Sequence, residues 1–219
     1  MKIAREKLIR FYDERAEDAG RGSDVSALTG VWGEDLIFGV LQHYWKNRES
    51  ADSDILSYSC STGKKQGPRL DGWLLKRVGE GNTLYQVEVK NWAAYSLGER
   101  ELGFAPSETN LRKYCEEQWK YYFGSDTIPA PSVAKVLIEM KKPEGYEEQS
   151  VTPLLCFWFF IAESLDSPFS RHHYPDGREV HVFSASAYLR SLTEQFIEIS
   201  MPRAERRLKL LADLLEIKT

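Results

Sequence analysis

Residues 69–92 read RLDGWLLKRVGEGNTLYQVEVKNW, and the two strand-length runs in this stretch decide the fold. Arg69–Val78 and Thr83–Trp92 are rich in apolar, β-branched and aromatic residues. Gly79, Gly81 and Asn82 between them supply turn chemistry, so the pair reads as a β-hairpin. Side chains alternate across a strand. Leu84, Gln86, Glu88 and Lys90 therefore share one face of the second run, and Tyr85, Val87 and Val89 share the other. Asp71 lies at the start of the first run, directly after a Gly-Pro loop.

The hairpin can bring Asp71 alongside Glu88, because neighbouring strands lie about 4.8 Å apart. Two carboxylates that close repel unless positive charge sits between them. A hard divalent cation, Mg2+ or Mn2+, takes oxygen ligands and often uses one or two protein carboxylates, completing its shell with water and substrate phosphate. Lys90 projects from the same face as Glu88 and can orient an attacking water. Hydrolysis of a phosphodiester needs those parts. An acid and a lysine two apart on a strand also suit a solvent-facing ion pair, but the run LYQVEVKNW around them is otherwise apolar and aromatic, where a merely solvated face is less expected.

Outward from the hairpin, residues 2–18 read as an amphipathic helix ended by Gly20 and Gly22, and a second helix should start near Ser26–Thr29 and run through Asn47, carrying Glu34 in its first turns. Ile55–Ser59 suits a short strand, followed by the loop STGKKQGP. Ser107–Phe123 is expected to be a helix with Ser107 as N-cap and Gly124 as stop. VAKVLIEM (133–140), LLCFWFFIA (154–162) and EVHVFS (179–184) read as strands, with a loop holding Pro168, His172, His173, Pro175 and Gly177 before the last of them. Ala185–Ile199 and Pro202–Ile217 read as closing helices. The order implies an α/β fold, a mixed central β-sheet flanked by helices, in a single domain over 1–219: an N-terminal helix (1–25), a core (26–184) and C-terminal helices (185–219).

The chain has 219 residues, 42% hydrophobic and 28% charged, enough for one sizeable core and outside the range of disordered chains. Its formal charge of −4 argues against coating nucleic acid by charge alone. The longest apolar run, Val151–Ala162, is too short for a membrane span. The N-terminal sequence is charged throughout and lacks the pattern of a signal peptide, which implies a cytoplasmic protein with no membrane partner. Cys60, Cys115 and Cys156 stand far apart with no CxxC pair, and are expected to be reduced.

GPRLDGWLL followed by YQVEVKNW, with an acid on an earlier helix, resembles the PD-(D/E)XK nuclease superfamily, which includes restriction endonucleases and RecB-like nucleases. The resemblance implies a restriction endonuclease-like core with its site on the hairpin, and hydrolysis of phosphodiester bonds of nucleic acid, DNA above all. It would make Asp71 and Glu88 metal ligands, the Val89 carbonyl a backbone ligand, Lys90 the catalytic lysine and Glu34 the accessory helix acid, although Asp35 is adjacent. Leu70 stands where the family usually has proline. Gln118 and Tyr122, four apart on the following helix, resemble the Q-x-x-x-Y element of RecB-like members, and Tyr122 equally suits core packing.

For the nucleic acid itself, Lys64, Lys65 and Arg69 lie in a segment, 61–77, that carries five cations against the single acid Asp71, and lysine ammonium groups can follow a phosphate backbone. Arg112, Lys113 and Lys120 form a second candidate surface, and Arg203, Arg206, Arg207 and Lys209 a third. Trp92 and Tyr95 could stack on bases or plug the end of the sheet. Cutting both strands of a duplex would favour a homodimer, with the C-terminal helices as interface elements. A catalytically silent nucleic-acid-binding or assembly protein on the same fold is the alternative.

Overall fold

The computed structural model describes residues 1–13, 21–90, 107–125, 129–158 and 167–215. In chain order its elements are β1 (Lys2–Ala4), α1 (Arg5–Asp13), α2 (Arg21–Glu49), β2 (Asp52–Ser57), β3 (Cys60–Ser61), β4 (Arg69–Leu70), β5 (Gly72–Val78), β6 (Gly81–Lys90), α3 (Glu108–Phe123), α4 (Pro131–Val136), β7 (Val151–Phe157), β8 (Phe169–His173), β9 (Glu179–Ser184), α5 (Ala185–Arg190), β10 (Phe196–Glu198) and α6 (Pro202–Leu214). Among these residues the main sheet has six strands in the order β2-β5-β6-β7-β9-β8. The expected hairpin, β5–β6, is antiparallel and pairs Gly72 with Val87 through Val78 with Gly81. β7 joins β6 in parallel and β9 joins β7 in parallel, while β2 and β8 close the edges antiparallel, so the sheet is mixed.

Period-two alternation gives each sheet face its own apolar layer. On one face Leu74, Tyr85, Val87, Leu154, Cys156 and Phe183 pack under Phe38, Leu41 and Trp45 of α2. On the other, Trp73, Leu75, Leu84, Leu155, Phe157 and Val182 meet Tyr122 and Phe123 of α3 and Val133 and Val136 of α4. The result is an α/β/α arrangement with the hairpin inside it. Each fully buried aliphatic or aromatic side chain in these layers contributes about 1.5–3 kcal/mol.

Five readings of the sequence are corrected. VAKVLIEM is not a strand: Pro131 starts the short helix α4, and β6 takes β7 as its neighbour instead. Pro is preorganised for a first helical turn, and Val133 and Val136, three apart, then point together into the core. Ala185–Ile199 is not one helix. Its first six residues form α5, with the Ser184 hydroxyl accepting from the Ala187 amide, and Phe196–Glu198 then forms β10 with Ile197 buried between two exposed neighbours. The partner of β10 is β1, so residues 2–4 are strand rather than helix. The segment holding His172 and His173 is an edge strand, β8, not a loop. Gly22 lies within α2, which begins at Arg21 rather than near Ser26. The outer parts of the runs read as 2–18, 83–92, 154–162 and 202–217 lie outside the described residues.

Candidate active site

The ladder between the first hairpin strands breaks at Asp71, between β4 and β5. Its backbone amide donates to the Val87 carbonyl at 2.9 Å, and its Oδ2 accepts from the Val89 amide at 2.6 Å. A side-chain oxygen thus replaces the carbonyl that would continue the ladder, and fixes the carboxylate across from Glu88. The next residue must be glycine. A Cβ on Gly72 would lie 2.6 Å from the Ser57 carbonyl and 2.9 Å from the Phe38 ring, so the close approach of β2 and α2 leaves no room for one.

Burial pushes the Asp71 carboxyl up to about 6 from its ordinary 3.8. The Val89 amide opposes that shift, the charges of Glu88 and Glu34 add to it, and Lys135 draws it back. Burial is thus the main cost of ionising Asp71, and the neighbouring acids Glu88 and Glu34 are themselves paired with Lys90, Lys135 and Arg203.

Glu88 is 2% exposed and carries two ammonium groups. Lys90 Nζ donates to Oε1 at 2.7 Å, and Lys135 Nζ lies 2.8 Å from both oxygens. A carboxylate this deep persists only when paired. Lys135 is the residue that sequence reasoning missed, because it belongs to the segment read as a strand. Pro131, placed for a first helical turn, was the available signal. The neighbouring Gln86 explains how α4 is held: its amide donates to the Val136 and Ile138 carbonyls, and its Oε1 accepts from the Met140 amide. Alternate residues of one strand face thus dock the end of α4 and receive its lysine.

The adjacent acids on α2 divide their roles. Asp35, 2% exposed, accepts from the Tyr58 hydroxyl and from the Ala204 amide in the first turn of α6, so it is a structural cap. Glu34 pairs with Arg203 at 2.8 Å, and its charge reaches Asp71. Gln118 is half-buried on α3 and makes no hydrogen bond among the described residues, so nothing in the geometry joins it to the carboxylates. Tyr122 is a core residue, packed edge-on to Phe157.

Lys64, Lys65 and Arg69 are exposed, Arg69 on β4 two residues before Asp71. Arg112, Lys113 and Lys120 are exposed on α3. Trp92 and Tyr95 lie outside the described residues. His172 packs against Phe123 and Tyr174, and His173 pairs with Glu179. All three cysteines are buried free thiols, and burial raises Cys60 to about 12.

No family model, curated protein or solved structure matches this chain. The fold and the site rest on their own geometry.

Among the described residues no three His, Cys, Asp or Glu side chains form a metal cage. Asp71, Glu88 and the Val89 carbonyl are the oxygens here that could hold Mg2+ or Mn2+, ions that keep several waters, and both Glu88 oxygens accept from lysine. No described helix is long and apolar enough to cross a membrane.

Proposed function

We propose that this chain is a divalent-metal-dependent nuclease that hydrolyses phosphodiester bonds of nucleic acid, with DNA as the first substrate to test, by a PD-(D/E)XK-type mechanism on a restriction endonuclease-like core. The observation that carries the reading is the placement of Asp71 across from buried Glu88 in the central hairpin, with Lys90 on the same strand face.

Asp71, Glu88 and the Val89 carbonyl would hold the ion. When bound, such an ion lowers the pKa of a coordinated water and offsets charge developing on phosphorus. The Val89 amide fixes the direction of the Asp71 carboxylate, so that group needs no rearrangement to serve as a ligand. Lys90, 17% exposed and bonded to Glu88, holds an ammonium beside the carboxylates, where it can orient water or donate to a phosphate oxygen. Lys135 is more exposed, at 35%, and is the freer of the two to turn from Glu88 toward a substrate phosphate. Glu34, held by Arg203, adds negative charge from the α2 side without being buried.

One observation favours a second reading. Both Glu88 oxygens already accept from lysine, as they would in a permanent ion cluster of a nucleic-acid-binding protein that does not cut. Plasmid and oligonucleotide assays with Mg2+ or Mn2+ separate the two. The nuclease reading expects cleavage that EDTA abolishes and that Lys90→Ala lowers by at least about 100-fold while the variant keeps its melting temperature within a few degrees. A well-folded wild type that binds DNA but never cuts it with either ion supports the second reading.

A further inference from the structure

Between the end of β2 and the start of α6 lies an open cleft of about 700 Å³, lined by Ser57, Tyr58, Ser59, Pro202, Arg203 and Arg206. We infer that this cleft is a phosphate subsite, which takes a phosphodiester of the nucleic-acid strand next to the one that is cut. The inference deepens the nuclease reading and rests on it.

The cleft is cationic, and its first cation is fixed in place. The Arg203 guanidinium lies 4.8 Å from the centre of the Tyr58 ring and donates to Glu34 at 2.8 Å. Tyr58 is itself anchored by its hydroxyl to Asp35, which also caps α6 through the Ala204 amide. One buried acid therefore ties both walls of the cleft together. A guanidinium held this way loses little freedom on binding, and its planar fork matches phosphate oxygens.

Arg206 is three residues further along α6, on the same side of the helix as Arg203. It is exposed and forms no ion pair among the described residues. Across the cleft, the Ser57 hydroxyl donates to the Ser59 carbonyl at 2.7 Å and accepts from the Ser59 amide, which shapes the turn and leaves the Ser59 side chain exposed. Two guanidinium groups facing a serine hydroxyl make a donor set for a phosphodiester.

Position argues for a strand running through the site rather than for an isolated anion. Ser57 pairs with Trp73 across β2–β5, and its carbonyl presses against Gly72, the residue after Asp71. The Ser57 wall of the cleft thus reaches the residue after Asp71, and a strand with one phosphate over Asp71 can lay a neighbouring one between Arg203 and Arg206.

The test uses the full chain and a short fluorescein-labelled DNA strand, with EDTA present so that binding is read without cleavage. Arg206→Glu should weaken binding by about tenfold or more and flatten its salt dependence, since one phosphate contact is lost. Lys7→Gln, on α1 and outside the cleft, should bind as wild type does. Excess inorganic phosphate or nucleoside monophosphate should compete poorly if the cleft reads a strand; full competition by either would reassign it to a free phosphate ligand and overturn the proposal. With Mg2+ present, Arg206→Glu should raise KM and leave kcat within about twofold.

A wild type that cuts, with Arg206→Glu binding and cutting equally well, removes the subsite and leaves the nuclease reading standing. A wild type that never cuts but loses strand binding on Arg206→Glu keeps the cleft as a nucleic-acid site and removes the hydrolytic reading. A wild type that binds no strand at all overturns the subsite.

Discussion

Asp71 is held ionised where the protein would be more stable without its charge, and that conflict is measurable. Its folded value of about 6 lies above the ordinary 3.8, so between these pH values the folded state binds more protons than the unfolded state. The charged carboxylate therefore destabilises the metal-free protein fully above pH 6, and the penalty fades as pH falls toward 3.8. Asp71→Asn keeps an acceptor for the Val89 amide and removes the charge. Its expected effect is a gain of about 1–3 kcal/mol in metal-free unfolding free energy at pH 7.5, shrinking as the pH falls toward 4, measured by urea denaturation with EDTA. A loss of stability at pH 7.5 would show that the carboxylate is a structural acceptor rather than a functional group kept at a cost. Asp71, Glu88 and Lys90 were legible in the sequence because the two-residue period and a two-strand hairpin place them without any knowledge of the remaining chain. Lys135 was not legible, since it reaches Glu88 from 47 positions away through a contact that no local pattern encodes.

The short helix α4 shows what decides a segment that local propensity leaves open. Its valines suit a strand as well as a helix, and the choice is made by Pro131 at the first turn and by β7 filling the place beside β6. The same competition ended the expected helix at 185–199 early, because Ile197 pairs into β10 against β1. Gln86 is the sheet's grip on α4. Gln86→Ala deprives the Val136 and Ile138 carbonyls of their donor, so it should destabilise the protein by about 1–3 kcal/mol. Because the same contact sets the position of Lys135, Gln86→Ala and Lys135→Met should be non-additive. A double-mutant cycle by chemical denaturation is expected to give a coupling of about 0.5 kcal/mol or more; strict additivity would mean that Lys135 finds Glu88 without help from Gln86.

Across the whole molecule, a net charge of −4 coexists with a cluster of paired acids and cations at the hairpin and with exposed cations at Lys64, Lys65, Arg69 and Arg206. The mixed sheet reconciles these facts by geometry: the central hairpin buries Glu88 and half-buries Asp71 between helical layers, while the exposed cations lie on a loop, on β4 and on α6. The acidic total therefore disfavours indiscriminate coating of nucleic acid and leaves room for a local, metal-assisted encounter. A ligand that binds only the folded chain stabilises it by mass action. With free Mg2+ or Mn2+ about a hundredfold above its Kd, the native state should gain about 2.7 kcal/mol, which for a chain of this size raises the melting temperature by roughly 5–10 °C. Asp71→Asn should show almost none of that rise. Protons compete with the ion for Asp71, whose carboxyl takes one up near pH 6, so the rise at fixed Mg2+ should be smaller at pH 5 than at pH 7.5. A melting temperature that ignores both ions in the wild type at pH 7.5 would remove the metal from the site. The two carboxylates would then be partners of Lys90, Lys135 and the Val89 amide alone.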